Sequence, residues 1–222
     1  MQVQEKNNKG FSVIEVIVVL AIIAIISTVA YPNISHWNKA RQINNSAIKI
    51  KTLFTNINSQ VQRGNYGFVQ VYINSIDTRV DVFSKGMKTS TLAQKINGDT
   101  QFKNISQRCN TDDNDYWDDD GEIHRNPEVS KLELDKIATS FTGVGAVCFS
   151  KDGQWYSASN NLIDGNVPIT AIYICEKAAG SCTTPAGEIK DEVEYLYAVS
   201  WSRFGNIKLE KYNSNRDEWI NQ

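Results

Sequence analysis

One stretch of this chain restricts its fate more than any other. From Val16 to Ile26 every residue is apolar, and the wider run from Phe11 to Tyr31 is interrupted only by Ser12, Glu15, Ser27 and Thr28. Wound as a helix at ~1.5 Å per residue, that run is about 32 Å long, enough to cross a bilayer core of roughly 30 Å. Glu15 lies inside it. A carboxylate near the middle of a membrane helix costs about 2.5–3.5 kcal/mol, so the residue calls for a reason. Its place near one end lowers the cost without explaining the choice.

The preceding residues supply a reason. Met1 to Gly10 is a short polar leader carrying Lys6 and Lys9. A secretory signal places small residues after its apolar region, where cleavage occurs; here the small boundary residue, Gly10, comes before it. A cut between Gly10 and Phe11 keeps the apolar helix on the product and frees an α-amino group at Phe11. An amine and a carboxylate four residues apart share a helix face and can neutralise each other. In an assembly the amine of one subunit could meet the carboxylate of its neighbour.

The segment Lys9-Gly10-Phe11-Ser12-Val13-Ile14-Glu15-Val16 with its apolar continuation resembles the class III signal of type IV pilins and type II secretion pseudopilins. The resemblance makes Gly10 the cleavage-site glycine for prepilin peptidase and Phe11 the new, N-methylated first residue. It makes Glu15 the glutamate that helps subunits assemble. Pro32 matches a proline at which the helix bends or melts in filaments. The plain alternative is a single-pass signal anchor with a chance glutamate.

With leader and apolar helix set aside, roughly 190 residues remain, enough for one domain with a real core. A formal net charge of −2 gives no general affinity for nucleic acid or anionic membranes. Lys6 and Lys9 against Glu5 place the N-terminus in the cytoplasm and export the rest. Lys39 and Arg41, on the far side, argue the other way, and the resemblance decides for export.

Beyond Pro32 the apolar pattern becomes periodic. Ala40, Ile43, Ala47, Ile50, Phe54, Ile57 and Val61 recur at spacings of three and four, which predicts an amphipathic helix with one covered face. Packing of that stripe on the chain's own sheet is favoured over a dimeric coiled coil, because the pattern is short and ends at a domain. Gly64, in Arg63-Gly64-Asn65, closes the helix. Strands are expected over Phe68–Ile73, Thr78–Phe83, Gly145–Ser150, Ile169–Cys175, Tyr195–Trp201 and Asn206–Tyr212, with a short helix or loop from Ser90 to Ile96. The last two strands are joined by Ser202-Arg203-Phe204-Gly205 as a hairpin.

Strands without intervening helices predict an α+β fold. A long N-terminal helix, half membrane segment and half amphipathic, would pack on a C-terminal antiparallel β-sheet or small β-sandwich. The resemblance implies the same pilin-like architecture. The expected organisation is a leader at 1–10, a transmembrane or filament-core helix at 11–31, an amphipathic helix at 32–63 and a β-rich periplasmic head at 64–222. Residues 97–140 read as an insertion in that head.

Val147-Cys148-Phe149-Ser150-Lys151-Asp152-Gly153 resembles the strand-turn of GspH/FimT-type minor pilins, and Val199 to Ile207 resembles their closing hairpin. The four cysteines, Cys109, Cys148, Cys175 and Cys182, all fall on the exported side. An even number in an oxidising compartment favours disulfides. The short spacing favours Cys175 with Cys182, leaving Cys109 with Cys148. A metal site is the rival reading, but there is no C-x-x-C, and the histidines are only His36 and His124.

The acidic run from Asp112 to Glu122 offers Asp113, Asp115, Asp118 and Asp120 as oxygen ligands, and calcium is the cofactor such a loop could take. Its spacing fails as an EF-hand, since Tyr116 stands where the first ligand belongs. A solvated acidic loop is the favoured reading. Lys208, Lys211 and Arg216 near Trp219 are the candidates for nucleic acid, but Glu210, Asp217 and Glu218 interleave them, so a mixed-charge surface is favoured. No nucleophile–base pair, phosphate loop or metal spacing suggests an enzyme.

The competing class to a filament subunit is an anchored periplasmic domain that binds a ligand, calcium or DNA, and never polymerises. Replacing Gly10 with a bulky residue is expected to block processing, read as a slower-migrating precursor on a denaturing gel.

Overall fold

The computed structural model describes residues 10–76, 79–98, 109, 128–141, 143–151, 155–159, 171–176, 182, 195–202 and 206–222. Its first element is one helix of 50 residues, α1 (Val13–Gln62), which continues through Pro32. The chain falls into two units, Met1–Arg41 and Gln42–Gln222. The division lies inside the amphipathic segment, where Ala40 is half-buried and Ile43 is the first residue of the stripe to be fully covered.

In the first unit every described side chain from Gly10 to Lys39 is exposed, including Ile17, Leu20, Ile23 and Ile26. Among the described residues no helix is long and apolar enough to cross a membrane. In sequence the apolar run goes on through Val29, Ala30 and Tyr31.

The second unit begins with the amphipathic end of α1. Ile43, Ala47, Ile50, Phe54, Ile57 and Val61 are buried in the main core, while Lys49, Asn56 and Gln62 face water. Gly64, at φ 79°, ends the helix in the left-handed conformation. Its N–H donates to Val61 O at 3.0 Å and the Asn65 N–H to Gln60 O at 3.1 Å. That pair of bonds is the Schellman closure, which satisfies carbonyls the helix end would orphan.

The strands follow as β1 (Phe68–Ile76), β2 (Arg79–Met87), β3 (Glu128–Asp135), β4 (Ile137–Thr139), β5 (Val144–Ser150), β6 (Trp155–Ser159), β7 (Ala171–Glu176), β8 (Leu196–Trp201), β9 (Ile207–Asn213) and β10 (Glu218–Asn221), with a second helix, α2 (Thr89–Gly98), after β2. They form two five-stranded sheets, ordered β3-β2-β1-β5-β6 and β10-β9-β8-β7-β4. Every neighbouring pair is antiparallel. The fold is therefore α+β, an N-terminal helix with C-terminal antiparallel sheets.

Strand alternation decides what each sheet buries. Val69, Val71, Ile73, Val80, Val82, Val147 and Phe149 of the first sheet share one cluster with the helix stripe and with Ile172, Ile174, Val199, Trp201 and Leu209 of the second. Phe54 lies at its centre, edge-on to Phe149 at 5.5 Å and to Trp201 at 5.6 Å between ring centroids. The opposite face of the first sheet is covered too. There Phe68, Met87, Ala146, Cys109 and Cys148 pack with Leu92 and Ile96 of α2. Gly145 is required by close approach, since a Cβ there would fall 2.0 Å from Cδ1 of Phe141.

The expected insertion at 97–140 needs correction. Its last part is β3 and β4, and Leu134 and Ile137 belong to the main core. Among the described strands β3 lies at the edge of its sheet, and its other face carries Lys131 and Glu133. Lys131 Nζ and Arg79 Nη2 meet Glu133 at 2.8 and 2.9 Å. The hydrogen bond from Lys131, then the charge of Arg79, lower the pKa of Glu133. Charges on an edge strand also blunt edge-to-edge pairing.

Cys109 pairs with Cys148, closing a separation of 39 residues, and Cys175 pairs with Cys182 across 7. Chain entropy assigns about 4 kcal/mol to the longer loop and about 2.4 to the shorter. Removing the Cys109–Cys148 pair by double serine substitution is therefore expected to lower the melting temperature more than removing Cys175–Cys182. Phe54→Ala is expected to cost about 3–5 kcal/mol in denaturant unfolding, from lost burial and the cavity left between the sheets.

Candidate functional site

The N-terminal segment starts with residues that no packing constrains. Gly10 is exposed, and a Cβ built on it meets nothing within 4 Å. Its φ is not in the left-handed region either. Neither space nor backbone geometry calls for glycine here, so the fold does not explain it.

The helix starts later than the sequence reading assumed. Gly10, Phe11 and Ser12 are outside α1, and the first bond of the ladder runs from the Val16 N–H to Ser12 O at 3.2 Å. Ser12 is thus the N-cap, and Glu15 stands three residues on. Ser-x-x-Glu is the capping-box spacing, in which the glutamate can reach back toward the first unpaired backbone N–H groups. In the uncut chain Phe11 thus precedes the cap.

Glu15 therefore has a local role before any processing. It is the acidic residue of the helix's first turn, where the dipole favours negative charge. A cut after Gly10 would set a new positive charge one residue ahead of the cap. The S-x-x-E spacing was present in the sequence and is the signal that finds this role. Phe11 itself is 83% exposed, and Val13 and Ile14 beside it are also open.

The other sequence candidates lie partly outside the described residues. Asp113, Asp115, Asp118 and Asp120 lie outside the described residues. Among the described residues no group of three metal-ligating side chains converges. Asp152 and Gly153 of the strand-turn motif, and Arg203 to Gly205 of the closing hairpin, also lie outside the described residues. The strands flanking them do pair, with Phe149 opposite Trp155 and Trp201 opposite Ile207.

Lys208 and Lys211 stand three apart on β9, so they face opposite sides of the sheet. Lys211 Nζ lies 5.8 Å from the ring of Tyr195, on the side of Leu209. Lys208 is exposed on the other side, two residues from Glu210, which accepts a hydrogen bond from Ser200 at 3.4 Å. Arg216 pairs with Glu218 at 3.5 Å in the turn before β10. Trp219 stacks with Tyr212 and Tyr173, at 5.3 and 5.8 Å between centroids. Lys208 and Lys211 therefore do not share one face of β9, and each candidate cation or its neighbour lies beside an acidic residue.

Residues 6–31 match the family model for the prokaryotic N-terminal methylation motif. The matched stretch contains Gly10, Phe11, Ser12 and Glu15 and ends on Tyr31. Searches of curated proteins and of solved structures return no match to the chain. The motif supports a type IV pilin-like precursor and with it a substrate of prepilin peptidase.

Proposed function

We propose that this chain is a minor pilin or pseudopilin of the GspH/FimT type. Prepilin peptidase cuts it after Gly10 and Phe11 is N-methylated. The subunit resides in the bacterial inner membrane as a single-pass protein with its head in the periplasm. It is then incorporated into, or primes, a type IV pilus or type II secretion pseudopilus. It is not an enzyme; its partners are the peptidase and sibling subunits gripped through the N-terminal helix.

The observation that carries this reading is the first part of α1, whose apolar side chains from Val13 to Ile26 are all exposed and which opens on a single glutamate, within the residues that match the methylation motif. Twelve large apolar side chains from Phe11 to Ile26 keep roughly half or more of their surface in water. Covering them is worth on the order of 10–20 kcal/mol at ~25 cal/mol per Å². Burying Glu15 costs only about 3 kcal/mol against that. The apolar term wins, and the helix must be covered by lipid, by other helices, or by each in turn.

The freed amine at Phe11 then answers the remaining cost. A buried carboxylate with a cationic partner is tolerated, whereas loss of one partner strands the other at about 3–5 kcal/mol. Glu15→Ala removes the carboxylate and leaves the amine. The variant is expected to fractionate with the membrane as the native chain does. Its recovery in sheared filaments, or crosslinked to sibling subunits, is expected to fall about a hundredfold or more. Unchanged incorporation of the variant would sink the pairing mechanism, and absence of the native chain from any assembly would sink the function.

A further inference from the structure

We infer that Trp37 and Arg41, on the exported end of the first unit, bind the headgroup of an anionic phospholipid while the subunit waits in the membrane. The inference rests on the membrane residence proposed above and adds a lipid partner to it.

Position comes first. Trp37 lies 24 residues beyond Val13, where α1 begins, about 36 Å along a helix at ~1.5 Å per residue. A bilayer is about 30 Å through its hydrocarbon and about 40–45 Å with headgroups. With Phe11 at the cytoplasmic boundary, Tyr31 reaches the far boundary and Trp37 enters the headgroup layer. Helical side chains lean toward the N-terminus. Trp37 and Arg41 therefore lean back toward the lipid rather than away from it.

The side chains then match that layer. Trp37 is 59% exposed, though a tryptophan in water needs some apolar cover. The Arg41 guanidinium lies 5.3 Å from its ring centroid, one helical turn on. Stacked guanidinium keeps its N–H donors free in the plane of the fork, the geometry that grips phosphate oxygens. Tryptophan at the interface and arginine just beyond it make one amphipathic unit.

Charge supplies the third argument. No carboxylate occurs from Val16 to Ile76, while Lys39, Arg41, Lys49, Lys51 and Arg63 do. From Gly64 on, 16 basic residues face 23 acidic ones, a net of −7. The chain's mild overall charge thus hides a basic helix joined to an acidic head. Basic residues just outside an apolar segment work against its export. Contact with an anionic leaflet gives Arg41 a role that offsets this conflict.

The test uses the full chain reconstituted into phosphatidylcholine vesicles doped with headgroup-spin-labelled phosphatidylcholine or phosphatidylglycerol. Trp37 emission is isolated as the difference between the native chain and Trp37→Phe, because the chain has five tryptophans. The labelled phosphatidylglycerol is expected to quench that difference signal about fivefold more than labelled phosphatidylcholine, the enrichment one cation gives beside an anionic surface. Arg41→Gln is expected to abolish the preference while the protein still floats with the vesicles. Floating protein whose Trp37 signal is unquenched, or quenched equally by both lipids, overturns the lipid site and leaves the anchor standing. Unquenched Trp37 that crosslinks to a second copy assigns the surface to a neighbour instead. Failure of the native chain to float overturns the anchor and this site together.

Discussion

Apolar surface that water cannot keep is the constraint on which the rest of this molecule depends. Along α1 that surface changes its distribution without any break in the helix. From Val16 to Ile26 it runs all the way around and remains exposed. From Ile43 it narrows to one stripe and is buried. One element thus carries two solvation problems. The second is solved inside the chain, by Phe54 between Phe149 and Trp201. The first is left for something outside it.

The head is built so that its own needs are met locally. The two sheets share one cluster with the helix, and their far faces are closed by α2 with Cys109–Cys148 and by Tyr173, Tyr212 and Trp219 beside Cys175–Cys182. Burial on both faces explains why Gln70 and Ser84 are covered though they alternate with core residues. It also leaves Phe11 to Ile26 as the main unsatisfied apolar surface among the described residues. A surface of that size marks an interaction site rather than a packing defect.

Much of this was legible in the residues. The three-and-four spacing from Ile43 to Val61 gave the buried face of α1, and Gly64 gave its end, because helix period and glycine's φ freedom are local properties. The strong apolar strands were readable within a few residues of their ends, and an eight-position cysteine spacing suggested the pair the structure contains. What was not legible depends on distant partners. β3 alternates with Lys131 and Glu133, so it read as insertion; only its pairing with β2 makes Leu134 core. β10 has four residues and is defined by β9 alone. At the candidate site, Gly10, Phe11 and Glu15 are legible as a motif, and the cap at Ser12 is carried by the S-x-x-E spacing. Lys208 and Lys211 are close in sequence, but strand alternation sets them on opposite faces of β9.

Glu15 joins the two halves of the account. Its carboxylate suits the first turn of a free helix, and its burial in any assembly becomes tolerable once Phe11 carries the chain's terminal nitrogen. The direct measurement is the intact mass of the chain purified from cells that contain prepilin peptidase. The account predicts a mass beginning at N-methylated Phe11. A mass that still includes Met1 to Gly10 would contradict it.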